Sequence, residues 1–290
     1  MENFININAE LSWHYIDKGE KDKPVIIFLH GFPDFHLMWN EQIKKFKDDF
    51  RCIAPDMTGY NLSSKPDNIE EYKVTSVVEH LKCFVDKLSL KKIVLVGHDW
   101  GGIVSWVFSS KYDYLLEKLV IINAPHPDIY QDLLRNDLDQ QKSADYALFF
   151  RTKNAEKLIS RRSYKAIHDM KNNLISLENR IQYHNAWSQD GAISSMLNYY
   201  CATQINIEEG VVEWEDFQLD DNLSSCRISD VNTLVIWGDK DTALNIKNII
   251  KLESMNKPNI SILRFEENSH WIVDENPDLI NNSLYKFLMK

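Results

Sequence analysis

Glycine, proline and cysteine are scarce in this chain of 290 residues, which contains only 9 Gly, 8 Pro and 4 Cys. Collagen-like and low-complexity chains are excluded, because they are built largely from glycine or proline. The cysteines are Cys52, Cys83, Cys201 and Cys226, and none stands at a spacing typical of metal ligands. We therefore expect no disulfide framework, no metal site and a reducing environment.

Positive charge and long apolar runs are also lacking. The chain has 33 Lys and Arg against 43 Asp and Glu, a formal net charge of −10, so we expect no nucleic-acid partner. Apolar runs such as Val25–Leu29 are far shorter than the roughly 20 residues that span a membrane. No basic stretch leads into an apolar segment at the N-terminus, which predicts a cytoplasmic protein without a membrane span. No sequence feature specifies an oligomeric state.

Short continuous apolar runs predict the strands of a mostly parallel sheet, because such strands are buried on both faces. The runs lie at Val25–Leu29, Cys52–Ala54, Ile93–Val96 and Leu119–Ile122, and a strand pattern returns at Leu234–Trp237 and Ile260–Leu263. Apolar residues at helical spacing from Val74 to Leu88 predict a helix between the second and third strands. Alternation in the first 15 residues predicts an edge hairpin. The order of strands and helices indicates the α/β class.

The strand rhythm stops near Pro125 and returns only after residue 222. Between these points the pattern is helical, rich in Gln, Asn, Arg and Tyr, and without strand-like runs. We therefore predict a core in two parts, residues 1–127 and 223–290, interrupted by a helical insert of residues 128–222.

The segment Val94–Gly102 is the most informative for chemistry, because a buried strand runs into Gly-x-Asp-x-Gly and then into a helix. This is the spacing of a nucleophile elbow, with Asp99 where esterases place serine. An ordinary strand-to-helix turn with a capping Asp is the alternative reading. A carboxylate is ionised at pH 7 and can attack a saturated carbon directly, which gives an alkyl ester that water must then open.

The other catalytic groups are expected at later strand ends, in the order acid and then histidine. Asp241 follows the strand Leu234–Trp237, with Asp239 as a competitor, and His270 follows Ile260–Leu263. An oxyanion hole in this arrangement uses the amide after the nucleophile, that of Trp100, and an amide of the loop His30–Pro33, for which Phe32 is the natural donor.

Taken together, the chain resembles the epoxide hydrolase family of the α/β-hydrolase fold along nearly its whole length. The motifs that carry the resemblance are His30–Pro33, Asp56–Tyr60, Gly97–Gly102, Asp239–Asp241 and Ser269–Trp271. The resemblance implies that residues 128–222 form a lid, called the cap below. It also implies that Tyr146, in Asp145–Phe150, and Tyr200, in Leu197–Tyr200, hydrogen-bond the epoxide oxygen. Thr58 stands where the family often has Arg, which leaves the packing of that loop open.

The activity implied is the addition of water to a small-molecule epoxide, giving a vicinal diol without a cofactor. Asp99 would form the alkyl ester, and water activated by His270 would hydrolyse it. A haloalkane dehalogenase, which shares the fold and the Asp-Trp pair, is one alternative, but Phe32 and the tyrosine pair disfavour it. A catalytically inactive ligand-binding homologue is another, and the complete set of Asp99, Asp241 and His270 argues against it.

Overall fold

The computed structural model describes residues 3–171, 173–208 and 211–289. Eight strands form one sheet, in the spatial order β1-β2-β4-β3-β5-β6-β9-β10. Their bounds are Asn3–Asn6 (β1), Ser12–Lys18 (β2), Val25–Leu29 (β3), Arg51–Pro55 (β4), Ile93–His98 (β5), Leu116–Ile122 (β6), Thr233–Gly238 (β9) and Ile260–Phe265 (β10). The first two strands pair antiparallel at one edge, as the alternation predicts, and from β4 to β10 every pairing is parallel.

Helices cover both faces of this sheet, which confirms the α/β class predicted from the sequence. They are Asn40–Phe46 (α1), Val74–Lys87 (α2), Trp100–Tyr112 (α3), Pro127–Asn136 (α4), Leu138–Ser143 (α5), Asp145–Phe150 (α6), Ala155–Ile159 (α7), Arg161–Met170 (α8), Leu177–Trp187 (α9), Ala192–Cys201 (α10), Lys247–Ser254 (α11), Ile272–Glu275 (α12) and Pro277–Leu288 (α13). One apolar cluster lies on the face of α2, α3 and the cap, and a second lies on the face of α1 and α13.

The parallel pairing decides where a site can form, because the carboxyl ends of all parallel strands meet at the same edge. Strand β5 is wholly buried between β3 and β6, while β9 and β10 close the far side of the sheet. The loops that follow β3, β5, β9 and β10 therefore converge over one end of the sheet. The cap lies between β6 and β9 in the chain.

The expectation that the cap has no strands is wrong. Gln204–Glu208 (β7) and Val211–Gln218 (β8) form an antiparallel hairpin between α10 and the return to the core. Ile205 and Trp214 pack partly buried against the main apolar cluster, and Phe217 is buried in it. Ile205 and Ile207 alternate with polar residues, and Val212 and Trp214 alternate with acidic ones, so a strand pattern is present in the sequence.

Across the described residues, no helix has both the length and the apolar character needed to cross a membrane. The four cysteines are free thiols, two of them buried.

Candidate active site

The backbone at Asp99 is a sharp turn between β5, which ends at His98, and α3, which begins at Trp100. Asp99 has φ 52° and ψ −125°, in the region that favours glycine, and this strain turns its side chain out above the sheet. The turn leaves no space opposite the carboxylate. A Cβ atom added to Gly31 would lie 2.1 Å from Asp99 Oδ1, so only glycine lets the two loops approach.

The two oxygens of the Asp99 carboxylate face different partners. The Phe32 amide donates a hydrogen bond to Oδ1 at 2.7 Å, and Oδ2 lies 3.6 Å from His270 Nε2. Burial alone would raise the pKa of Asp99, but the hydrogen bond and charge of His270, with the Trp100 amide, outweigh it and lower that pKa. The carboxylate is therefore held ionised, with Oδ1 bound by the Phe32 amide and Oδ2 beside the imidazole.

Asp241 rather than Asp239 is the acidic partner of His270. Its Oδ2 lies 2.7 Å from His270 Nδ1, whereas Asp239 pairs with Arg264 at 2.8 Å. Burial works to lower the pKa of His270, but the nearby carboxylates, first Asp241 and then Asp99, raise it to about 10. The imidazole is thus a cation between two carboxylates in the unliganded protein.

Two further residues hold Asp241 and His270 in place, and neither is predicted from the sequence. Asn123, at the end of β6, donates to Asp241 Oδ2 at 2.8 Å and accepts from the Gly238 amide at 2.9 Å. The ring of His98 donates through Nε2 to the carbonyl of His270 at 2.8 Å. Asn123 could have been noticed as a lone polar residue at a strand end, but the His98 contact depends on tertiary structure alone.

A cavity of about 200 Å³ opens onto Asp99 and His270. Its remaining lining residues are mainly aromatic or apolar: Phe32, Tyr146, Met170, Tyr200, Thr242, Ala243 and Trp271. Tyr146 and Tyr200 come from α6 and α10 of the cap, and their ring centroids are 6.0 Å apart. Burial raises the pKa of both phenols well above 10, so both remain protonated at neutral pH. The cavity is therefore lined by an ionised aspartate and two protonated tyrosines.

Comparison with known proteins shows the family of the chain. The family model for the alpha/beta hydrolase fold matches residues 24–277. Epoxide hydrolase 4 of Mus musculus is 30% identical over 299 residues, which cover 97% of this chain and 77% of that protein. An epoxide hydrolase of Bacillus megaterium, solved as a variant complexed with its naphthyloxy-propane diol product, is 32% identical with a TM-score of 0.88, covering 99% of this chain and 100% of that one.

This chain belongs to the epoxide hydrolase family of the α/β-hydrolase fold. An AB hydrolase superfamily protein of Bacillus subtilis (strain 168) is also similar, at 31% identity over 292 residues, 98% of this chain and 96% of that protein.

His30 and Pro33, also predicted as site residues, do not line the cavity but support the loop beside it. The Met57 amide donates to His30 Nε2 at 3.0 Å, so the proton of the ring lies on Nδ1, which donates to the Gly31 carbonyl at 3.0 Å. The Pro33 carbonyl accepts from Trp187 Nε1 of the cap at 2.9 Å. Both residues brace the loop that carries the Phe32 amide.

Thr58, the departure from the usual family pattern, is fully integrated into its loop. Its hydroxyl oxygen accepts from Trp13 Nε1 at 2.9 Å and lies 3.0 Å from His80 Nδ1. Its carbonyl accepts from the Tyr199 hydroxyl of the cap at 2.9 Å. The loop is therefore held by neutral hydrogen bonds where the family often has an arginine.

One group of possible metal-binding side chains occurs in the described part of the chain, formed by His14, His36 and Asp56. Asp56 is fully buried, and its carboxylate already accepts from His14 Nδ1 at 2.7 Å, His36 Nδ1 at 2.9 Å and Asn61 Nδ2 at 2.8 Å. Because these bonds use both carboxylate oxygens, we assign the group to bracing between β2 and the loops after β3 and β4.

Replacing Asp241 by Asn is expected to slow hydrolysis of an Asp99 ester by about 10²–10⁴-fold, because the imidazole loses the charge that orients it and supports its cation. Alkylation of Asp99 should remain measurable in the same rapid-quench experiment. Asp239→Asn is the matched control and should change either step by less than about twofold. If Asp239→Asn is the slow variant instead, the assignment of the acid is wrong.

Proposed function

We propose that this protein is an epoxide hydrolase that converts a small epoxide to a vicinal diol through an ester on Asp99. The observation that carries the proposal is that one cavity is lined by Asp99, His270, Tyr146 and Tyr200 together. A nucleophile that is already ionised, facing two neutral acids, suits the opening of a strained C–O bond.

In the first step, Asp99 Oδ2 forms a bond to an epoxide carbon while the bond from that carbon to the epoxide oxygen breaks. Oδ2 is the available oxygen, because Oδ1 accepts the Phe32 amide at 2.7 Å. The released oxygen takes a proton from Tyr146 or Tyr200, whose raised pKa keeps them protonated until that moment. The product of this step is a hydroxyalkyl ester with its carbonyl oxygen held by the amides of Phe32 and Trp100.

The imidazole of His270 completes the proton balance. As a cation with a pKa raised to about 10, it can return a proton through the cavity to the tyrosinate and become neutral. Formation of the ester removes the charge of Asp99, one of the two carboxylates that stabilise that cation, and so favours this loss. Neutral His270 then takes a proton from water, and hydroxide attacks Cγ of Asp99. The diol leaves, and the aspartate and the imidazolium are regenerated.

The haloalkane alternative gains no support from the cavity. A departing halide is an anion that needs hydrogen-bond donors but does not take a proton. The ability of the phenol pair to give up a proton would therefore have no use in that reaction. Position 32, which could supply a second side-chain donor to a halide, is Phe in this chain.

The cap, residues 128–222, is proposed to act as the lid that supplies the two phenols, with the core in residues 1–127 and 223–290. The free thiols, two of them buried, support a reducing cytoplasmic location. The formal charge of −10 supports small-molecule substrates rather than nucleic acid.

A single turnover in water enriched with heavy oxygen tests this mechanism against direct attack of water on the epoxide. Because hydroxide attacks Cγ of Asp99, the label should enter the carboxylate, and the diol of the first turnover should contain unlabelled oxygen. Aryl and alkyl epoxides should be assayed beside haloalkanes of the same size. Label in the first diol, or turnover of haloalkanes alone, contradicts the proposal.

The two chemical steps should differ in their dependence on pH. Alkylation needs ionised Asp99 and neutral phenols, and the lowered pKa of Asp99 and raised pKa of both tyrosines keep these forms between about pH 6 and about pH 9. Its rate should therefore be flat. Ester hydrolysis needs neutral His270, so its rate should rise with pH, with an apparent pKa below the value of about 10 in the unliganded protein. Rapid-quench measurements across this range separate the two, and a falling hydrolysis rate would contradict the role of His270.

A further inference from the structure

A lysine without any exposed surface lies between the cap and the core. Lys171, next to the C-terminus of α8, is completely buried. Its ammonium contacts both carboxylate oxygens of Asp34, at 2.9 and 2.7 Å, and Asp274 Oδ2 at 2.8 Å. It also lies 4.3 Å from the centre of the Trp271 ring. Burial alone would lower the pKa of Lys171, but the two carboxylates outweigh that effect and raise it, so the side chain is a cation.

The three core residues that Lys171 contacts belong to the two loops on which ester hydrolysis depends. Asp34 follows Phe32, whose amide binds Asp99, and Asp274 and Trp271 follow His270. The neighbouring residue of the cap, Met170, lines the substrate cavity together with Trp271. Lys171 therefore links the oxyanion loop (residues 30–34), the histidine loop (residues 268–276, which include α12) and a wall of the cavity.

This arrangement is not a general feature of the boundary between cap and core. Lys247 of α11 also pairs with two carboxylates across that boundary, Asp137 and Asp139, each at 2.7 Å. Its side chain is 40% exposed, whereas that of Lys171 is 0% exposed. Neither Asp137 nor Asp139 lies on a loop that carries a catalytic group. Burying charges is costly unless they are well paired. The Lys171 cluster is buried in this way beside the segments that carry Phe32 and His270, whereas the Lys247 cluster is not.

We propose that Lys171 is a positioning residue, which holds the histidine loop and the oxyanion loop at the spacing that ester hydrolysis requires. The proposal rests on the proposed function. Asp274 is the link to the histidine loop, since its backbone amide also donates to the Trp271 carbonyl at 2.9 Å. With the link broken, His270 keeps its partner Asp241 but loses its exact distance from the ester carbon.

Three variants measured by rapid quench with styrene oxide test this role. Asp274→Ala leaves Lys171 and Asp34 as a balanced pair, and should slow ester hydrolysis about ten- to hundredfold while alkylation changes by less than about twofold. Lys171→Met/Asp274→Ala keeps the net charge of the cluster at −1, as in the natural chain (+1 − 2 = −1), and should slow hydrolysis at least as much. Lys247→Met is the control, with unchanged rates for both steps. Recovery of the natural rate in the double variant would show that charge, not linkage, matters, and would overturn the proposal.

Hydrogen exchange supplies a readout that does not depend on epoxide turnover. Amides of residues 268–276 should exchange faster in Asp274→Ala and in the double variant, and at the natural rate in Lys247→Met. A protein that opens no epoxide would refute the proposed function, while the exchange data would still decide whether Lys171 holds this loop. Unchanged exchange in both cluster variants refutes the positioning role, even if the protein is an active epoxide hydrolase.

Discussion

Protein carrying His270→Gln is expected to accumulate as an ester on Asp99 when mixed with an epoxide. Loss of the base should slow hydrolysis by about 10²–10⁴-fold, while alkylation needs only the carboxylate and the phenols. The fold should survive, because Asp241 still accepts from Asn123 at 2.8 Å and from the amides of Ala243 and Leu244 at 2.9 and 2.8 Å. Intact-mass spectrometry should show the added mass of one epoxide.

The tryptic peptide Ile93–Lys111 should contain that added mass, since it includes Asp99. Asp99→Asn/His270→Gln is the control and should stay unmodified under the same conditions. An adduct on another peptide, or natural protein that turns over while His270→Gln never becomes modified, would exclude Asp99 as the nucleophile.

Removing both cap phenols should nearly abolish alkylation by an epoxide. Loss of one positioned donor to a developing oxyanion typically costs about 2.7–4 kcal/mol, and each of two partly redundant donors should cost less, about 1–3 kcal/mol. Tyr146→Phe or Tyr200→Phe alone should therefore slow alkylation about tenfold, and the double variant far more. Both rings keep their aromatic neighbours, so thermal unfolding should shift little.

Tyr199→Phe is the matched control for this experiment, because it removes a cap hydroxyl that lies outside the cavity lining and donates to the Thr58 carbonyl. It should leave alkylation within about twofold of the natural rate. Full epoxide activity in Tyr146→Phe/Tyr200→Phe would refute the assignment of the phenols as acids.

The meeting of Asp99, Asp241 and His270 could be predicted because each residue follows the carboxyl end of a parallel strand, and parallel strands bring these ends together. Asp99 and His270 needed only this rule and the order of the motifs. The choice between Asp241 and Asp239 depended on the path of a loop, which the structure shows turning Asp239 toward Arg264. Tyr146 and Tyr200 could be predicted only from the resemblance to the family, because a tyrosine in a helical segment more often serves in packing.

The supporting residues could not be predicted for a physical reason. His98 and Lys171 act through partners 172 and 103 residues away in the chain. No local pattern records such contacts, and the usual expectation for a lysine is an exposed side chain. The hairpin of β7 and β8 does show alternation, at Ile205 and Ile207 and at Val212 and Trp214, but the two short runs lie in a segment whose overall pattern is helical.

The strand order makes the two sides of the site unequal in their stability against local unfolding. Asp99 follows β5, which is buried at every residue in the middle of the sheet, whereas His270 follows β10, an edge strand without a buried residue. Local unfolding begins where few buried contacts hold a segment, so heat or denaturant should loosen the β10 edge before the centre. A molecule in that state retains its nucleophile without its base. Substrate would then alkylate Asp99, and the ester would persist until the β10 edge re-formed and returned His270 to its place.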